Sequence, residues 1–126
     1  MSVFDCSALL AMAFAERGDQ RARALLPGAC VSVVNVGEMI GKLVRKGLSL
    51  AAATKIVEGF NLDWVAPDGA QAARVGELAI VNGLSLADRF CIALAEARNE
   101  PLVTADQDWS PLTLSVPIEF IRSRST

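Results

Sequence analysis

Short strand-like runs alternate with helix-length stretches along the whole chain, and this alternation restricts the fold more than any other feature. Val3-Phe4, Cys30 to Val34, Leu62 to Val65, Pro101 to Thr104 and Ile118 to Ile121 read as strands. Between them lie helical stretches: Ser7 to Glu16, Gln20 to Leu26, Val36 to Arg45, Ser49 to Glu58, Asp68 to about Val81, and Leu86 to Arg98. Gly18-Asp19, Pro27-Gly28, Gly47, Gly59 and Asn82-Gly83 separate the segments, and Asn35 and Ser85 are placed to cap the helices that follow them. Strands joined by helices or helix pairs need right-handed crossovers, which give a mostly parallel sheet covered on both faces. The expectation is a single domain over residues 1–126 with a three-layer α/β/α fold and no internal repeat.

Composition removes several alternatives. At 126 residues, 52% apolar and 21% charged, the chain can build a full core and is not disordered. Ala13-Phe14-Ala15, at the end of an apolar run, has the look of a secretory cleavage site. No Lys or Arg precedes that run, however, and Asp5 occupies the place of a basic n-region. The run is also too short to span a bilayer. The segment is therefore expected to belong to a soluble, cytoplasmic fold with no membrane association. Cys6, Cys30 and Cys91 are odd in number and widely spaced with no CxxC pair, which points to buried free thiols in a reducing compartment.

The chain has no histidine. That excludes Ser-His-Asp and Cys-His nucleophile systems, His-ligated zinc and imidazole acid–base chemistry together. Catalysis is left to carboxylates, lysine, backbone groups or a hard metal ion held by oxygen.

Four acids stand where the chain leaves a strand or opens a helix. Asp5 ends the first strand, Glu38 follows the Cys30 to Val34 strand, Asp88 opens the Leu86 helix, and Asp106 comes two residues after Thr104. Each has a structural explanation. Ser85-Leu86-Ala87-Asp88 fits a capping box, Asn35-Val36-Gly37-Glu38 is an Asn-led variant of it, and Asp5 and Asp106 can serve as N-caps. Together they read differently. The carboxyl ends of parallel strands share one edge, where sites form, so acids spread from position 5 to 106 are expected to converge there. Crowded carboxylates raise one another's pKa unless a cation joins them. Oxygen ligands without His or Cys suit Mg²⁺, with Mn²⁺ as a substitute. Such a site without a side-chain nucleophile suits metal-assisted attack of water on a phosphodiester.

The segments VFDCSALL, VSVVNVGEMIGKLVRKG, GLSLADRFCIALA and LVTADQDW, in this order, resemble PIN-domain ribonucleases, in particular VapC-like bacterial toxins. The likeness covers nearly the whole chain. It implies a Mg²⁺-dependent endoribonuclease that cuts RNA such as tRNA, assembles as a homodimer and pairs with a cognate antitoxin. It also implies that Asp5, Glu38, Asp88 and Asp106 are both the catalytic and the metal-binding residues, with Ser7 as a supporting polar contact. One departure is visible. Many relatives carry several more residues, often with a basic one, where Glu77 to Asn82 here leads straight into Gly83-Leu84-Ser85. That departure implies a smaller or differently charged RNA groove.

The net charge of −2 seems to disfavour an RNA partner, but setting the four acids aside leaves 10 acids against 12 Lys and Arg. Lys42, Arg45, Lys46 and Arg89 are the candidate RNA contacts, and each fits an ordinary solvated charge equally well. Arg122 and Arg124 form a C-terminal pair without an assigned role, and Asp108 reads as a turn residue rather than a further ligand. The apolar content fits burial under an antitoxin and in a dimer. A phospho-receiver domain is excluded, because only Asp5 stands at the end of the first strand and the last lysine is Lys55. The competing reading is a noncatalytic α/β interaction domain whose four acids only cap helices.

Overall fold

The computed structural model describes residues 1–123. Its centre is a five-stranded sheet built from β1 (Val3–Phe4), β2 (Cys30–Ser32), β3 (Asp63–Val65), β4 (Leu102–Thr104) and β5 (Ile118–Phe120). The strand order is β3-β2-β1-β4-β5, and every pairing is parallel. Six helices surround it: α1 (Cys6–Ala13), α2 (Asp19–Leu25), α3 (Val33–Arg45), α4 (Leu50–Glu58), α5 (Gly69–Glu77) and α6 (Leu86–Arg98). The three-layer α/β/α architecture is as expected.

The period of two along each strand divides the core. Phe4, Val31 and Val103 face one side, where they pack with Leu9, Met12, Met39, Leu43 and Val57 of α1, α3 and α4. Val3, Cys30 and Leu102 face the other, against Ile92 and Leu94 of α6, Leu78 and Trp109. Each side chain of β1 and β4 is fully buried. All three cysteines are buried and free, as expected.

The β2–α3 junction departs from the sequence reading. β2 stops at Ser32, and α3 already begins at Val33. Ser32, not Asn35, is the N-cap, its hydroxyl accepting the Val34 N–H at 3.2 Å. Val33 and Val34 suit a strand by propensity, but the cap and the packing of α3 override that preference. Asn35 therefore lies inside the helix and is 1% exposed. Glu38 moves to the second turn and takes no part in a cap.

Other boundaries shift less. α1 ends at Ala13 because Ala15 adopts a left-handed φ of 50°, which lets the Glu16 N–H return to the Ala11 carbonyl at 2.9 Å. α5 ends at Glu77 and passes into a single 3₁₀ turn, Leu78–Ile80. Gly18 breaks the chain between α1 and α2 at φ +95°, and a Cβ there would lie 2.6 Å from the Ile121 carbonyl oxygen. No helix among the described residues is long and apolar enough to cross a membrane.

Candidate active site

The chain runs outward from β1 to β2 and β3, then crosses to place β4 and β5 on the opposite side of β1. The reversal lies between β1 and β4, and such a switch point opens a crevice at the carboxyl edge of the sheet. Asp5 leaves β1 and Asp106 leaves β4 on the two sides of that crevice.

Asp5 is 3% exposed, and hydrogen bonds surround its carboxylate. Oδ1 accepts from the Ala8 N–H at 2.9 Å, so Asp5 is the N-cap of α1. The Ser7 hydroxyl lies 2.7 Å from Oδ1 and 2.9 Å from Oδ2, and the Thr104 hydroxyl donates to Oδ2 at 2.6 Å. The two hydroxyls also reach backward. Ser7 Oγ accepts the Ala105 N–H at 2.8 Å, and Thr104 Oγ1 accepts the Asp106 N–H at 3.0 Å. The segment that carries Asp106 is thereby tied to Asp5 through two side chains. Ser7 has the supporting place expected of it. Thr104 belongs to the LVTADQDW segment, but no sequence signal marks it as a partner of Asp5, because its contact spans 99 positions of sequence.

Burial pushes the Asp5 carboxyl up to about 6, against the lowering effect of the Thr104, Ala8 and Ser7 hydrogen bonds, and the charge of Asp88 adds to the rise. Asp88 is half-buried and is also raised, first by burial and then by the charge of Asp106. Asp5, Asp88 and Asp106 thus lie within electrostatic reach of one another. Glu38 is half-buried, and after burial its charge is the strongest influence pushing the Cys6 thiol up. Among the described residues none of these four acids makes an ion pair.

Three of the capping expectations are realised at the same time. Asp5 caps α1. Asp88 Oδ2 accepts the Ser85 N–H at 2.9 Å and Ser85 Oγ accepts the Asp88 N–H at 3.1 Å, which completes a capping box. Asp106 Oδ1 accepts the Asp108 N–H at 2.9 Å and opens the turn Gln107–Trp109. Glu38 is the exception, since the Asn35-led box does not form. Among the described residues no three His, Cys, Asp or Glu side chains are gathered closely enough to hold a metal ion as they stand. The four acids fit a divalent ion by their hard-oxygen chemistry and their common edge, not as a closed ligand cage.

The candidate RNA contacts separate. Lys42 is half-buried one turn beyond Glu38, and its charge is felt at Asp88 and at Cys6. Arg45 is exposed, whereas the Lys46 ammonium lies 5.0 Å from the centre of the Phe14 ring. Arg89 turns inward and donates from Nη1 to the Val75 carbonyl of α5 at 3.2 Å. Asp108 is exposed in its turn, and Arg124 lies outside the described residues. Beside Asp106 a cleft of about 470 Å³ is lined by Ser7, Arg17, Gln107, Arg122 and Ser123, among others.

The sequence profile described as the PIN domain matches residues 2–112. The chain belongs to the PIN-domain family. No curated protein sequence matches it significantly. Solved structures do match this PIN domain in fold. A DNA-bound VapBC from Salmonella typhimurium superposes with a TM-score of 0.75 at 20% identity, covering 96% of this chain and 98% of that one. A toxin–antitoxin complex from Klebsiella pneumoniae gives 0.72 at 17% identity, covering 94% and 100%. Mycobacterium tuberculosis VapC20, described as a Sarcin-Ricin loop cleaving toxin, gives 0.68 at 19% identity, covering 88% and 94%. At these identities the likeness speaks for the fold. The PIN domain here therefore has the architecture expected from its motifs, on nearly the full length of the chains it matches.

Proposed function

We propose that this PIN domain is a metal-dependent endoribonuclease, the toxin of a toxin–antitoxin pair, with Asp5, Glu38, Asp88 and Asp106 as its site. The observation that carries the reading is the set of three like-charged acids at the β1–β4 crevice, none balanced by an ion pair among the described residues. A capping role alone explains Asp5, Asp88 and Asp106 one at a time. It does not explain their placement together, nor a half-buried Glu38 that caps nothing. Family membership and the names of the matched toxins support the same class of reaction.

In this reading the four acids hold Mg²⁺, or Mn²⁺ in its place. When bound, the ion supplies an acidified water and offsets charge on the phosphoryl oxygens. The chain's own residues do the rest. Ser7 and Thr104 fix the orientation of the Asp5 carboxylate, and Thr104 and Ser7 also anchor the turn that presents Asp106. Lys42 brings positive charge to the acidic edge, where an RNA phosphate has to approach. A cognate antitoxin and a second copy of the chain are the protein partners in this proposal.

The test is cleavage of RNA by the purified protein with Mg²⁺, with EDTA, and in the Asp5→Asn and Asp88→Asn variants. Loss of cleavage in EDTA and in both variants, with circular dichroism unchanged, is the expected outcome. Unchanged cleavage in Asp5→Asn rejects the site, and absence of cleavage by the wild type favours the noncatalytic interaction domain.

A further inference from the structure

Asp88 occupies the weakest-supported part of the acidic edge. The segment before it, Asn82 to Leu86, is largely exposed, and the capping box ties Asp88 only to Ser85, three residues back. That local cap shapes the first turn of α6 but does not say where the turn sits against the sheet. The charges of Asp106 and Asp5 disfavour an ionised Asp88 beside them, and Lys42 offsets part of that effect.

Besides the packing of α6 on α3 and α5, two hydrogen bonds reach outside the turn, one on each neighbour of Asp88. On one side, Asn35 Nδ2 of α3 donates to the Ala87 carbonyl at 3.2 Å. On the other, Arg89 Nη1 donates to the Val75 carbonyl of α5 at 3.2 Å. The Asn35 side chain is 1% exposed, and its Oδ1 is buried with no hydrogen-bond partner. A buried acceptor left unpaired is unfavourable, and an apolar side chain avoids that cost. For packing alone Asn35 is a poor residue. Among the described residues its only side-chain hydrogen bond is the one to Ala87, and it lies one turn ahead of Glu38 on the same helix.

We infer that Asn35 is a positioning residue that clamps the first turn of α6 to α3, so that Asp88 is held at the same edge as Glu38 and the other acids. The inference deepens the ribonuclease reading and rests on it for its catalytic consequence, but the clamp itself is a property of the metal-free fold. Arg89, foreseen as an RNA contact, serves as the second arm of the clamp through α5.

Asn35→Leu tests this directly, with Asn35→Ala as a second variant in case the larger side chain disturbs packing. In metal-free protein, amide hydrogen exchange of Asp88 and Arg89, whose N–H groups bond to Ser85, should accelerate in both variants while the rest of α6 and the sheet keep their protection. Melting temperature reports whether the larger leucine is accommodated, and Asn35→Ala carries the test where it is not. In RNA cleavage, the Mg²⁺ concentration for half-maximal rate should rise by roughly tenfold with the KM for RNA unchanged, as for loss of an outer-shell partner of a metal site. Unaltered exchange at Asp88 and Arg89 overturns the clamp, whatever happens to activity. Faster exchange with an unaltered Mg²⁺ requirement overturns its role in presenting Asp88. If the wild-type protein cleaves no RNA, the ribonuclease reading fails and the exchange experiment still decides the clamp.

Discussion

The Thr104 hydroxyl donates to Asp5 Oδ2 at 2.6 Å across the β1–β4 pair, and its own oxygen, Oγ1, accepts the Asp106 N–H at 3.0 Å. One side chain therefore orients one acid and anchors the backbone of another. Thr104 is fully buried, so both bonds lie in a medium that strengthens them and makes their loss expensive.

Replacing Thr104 with Val keeps the shape and removes both bonds. The expected cost is about 1–2 kcal/mol of stability from the orphaned groups. RNA cleavage should fall by roughly 10–100-fold, as for a partner of a metal ligand. Urea denaturation and single-turnover cleavage measure the two effects, and full activity in the variant removes Thr104 from the site.

Asp5 makes metal-free stability depend on pH in an unusual direction. Its carboxyl is raised from 3.8 to about 6, so the folded state binds the proton more tightly than the unfolded chain does. Stability from this group is greatest below about pH 4 and is lost as pH rises to about 6, beyond which the loss is constant. The shift corresponds to roughly 2–3 kcal/mol. Asp5→Asn, which keeps an acceptor for the Ala8 N–H, should therefore be about 1–3 kcal/mol more stable than wild type at pH 7 in EDTA. The difference should shrink towards pH 4. Denaturation of the pair across pH 4–7.5 isolates Asp5 from other carboxyls such as Glu96, which Arg74 and Ser115 hold below its usual range despite burial. A difference that does not change with pH contradicts the buried charge.

Glu38 and Asp88 separate capping from catalysis. Asp88→Ala removes half of a capping box and should cost about 1 kcal/mol, whereas Glu38→Gln caps nothing and should leave the melting temperature alone. Both should lower cleavage by more than about 100-fold, beyond the effect of an outer-shell partner. Calorimetry with a cleavage assay checks this. An active Glu38→Gln would remove Glu38 from the site.

Gly18→Ala should destabilise the protein by more than about 1 kcal/mol, because φ is +95° and the new Cβ would meet the Ile121 carbonyl oxygen. Thermal unfolding gives the answer. A neutral substitution would mean that the α1–α2 connection can move away from the end of β5.

The local pattern of the chain determines the element order, the parallel sheet and the placement of acids just past strand ends, since each depends on neighbouring residues. The lack of histidine likewise restricts the available chemistry without reference to any fold. Boundaries were less legible where side chains choose between local options. Val33-Val34 has the composition of a strand, yet the Ser32 hydroxyl and the packing of α3 make it the first turn of a helix. That choice buried Asn35 and removed Glu38 from any cap. What only the tertiary structure decided is which distant residues meet. The placement of β4 beside β1 sets Thr104 on Asp5, and the packing of α3 on α6 sets Asn35 on Ala87. Those contacts join positions 52 to 99 residues apart, and no local periodicity encodes them. They arise when the hydrophobic faces of strands and helices fix the layers, and the polar side chains at the sheet edge find their partners as a consequence.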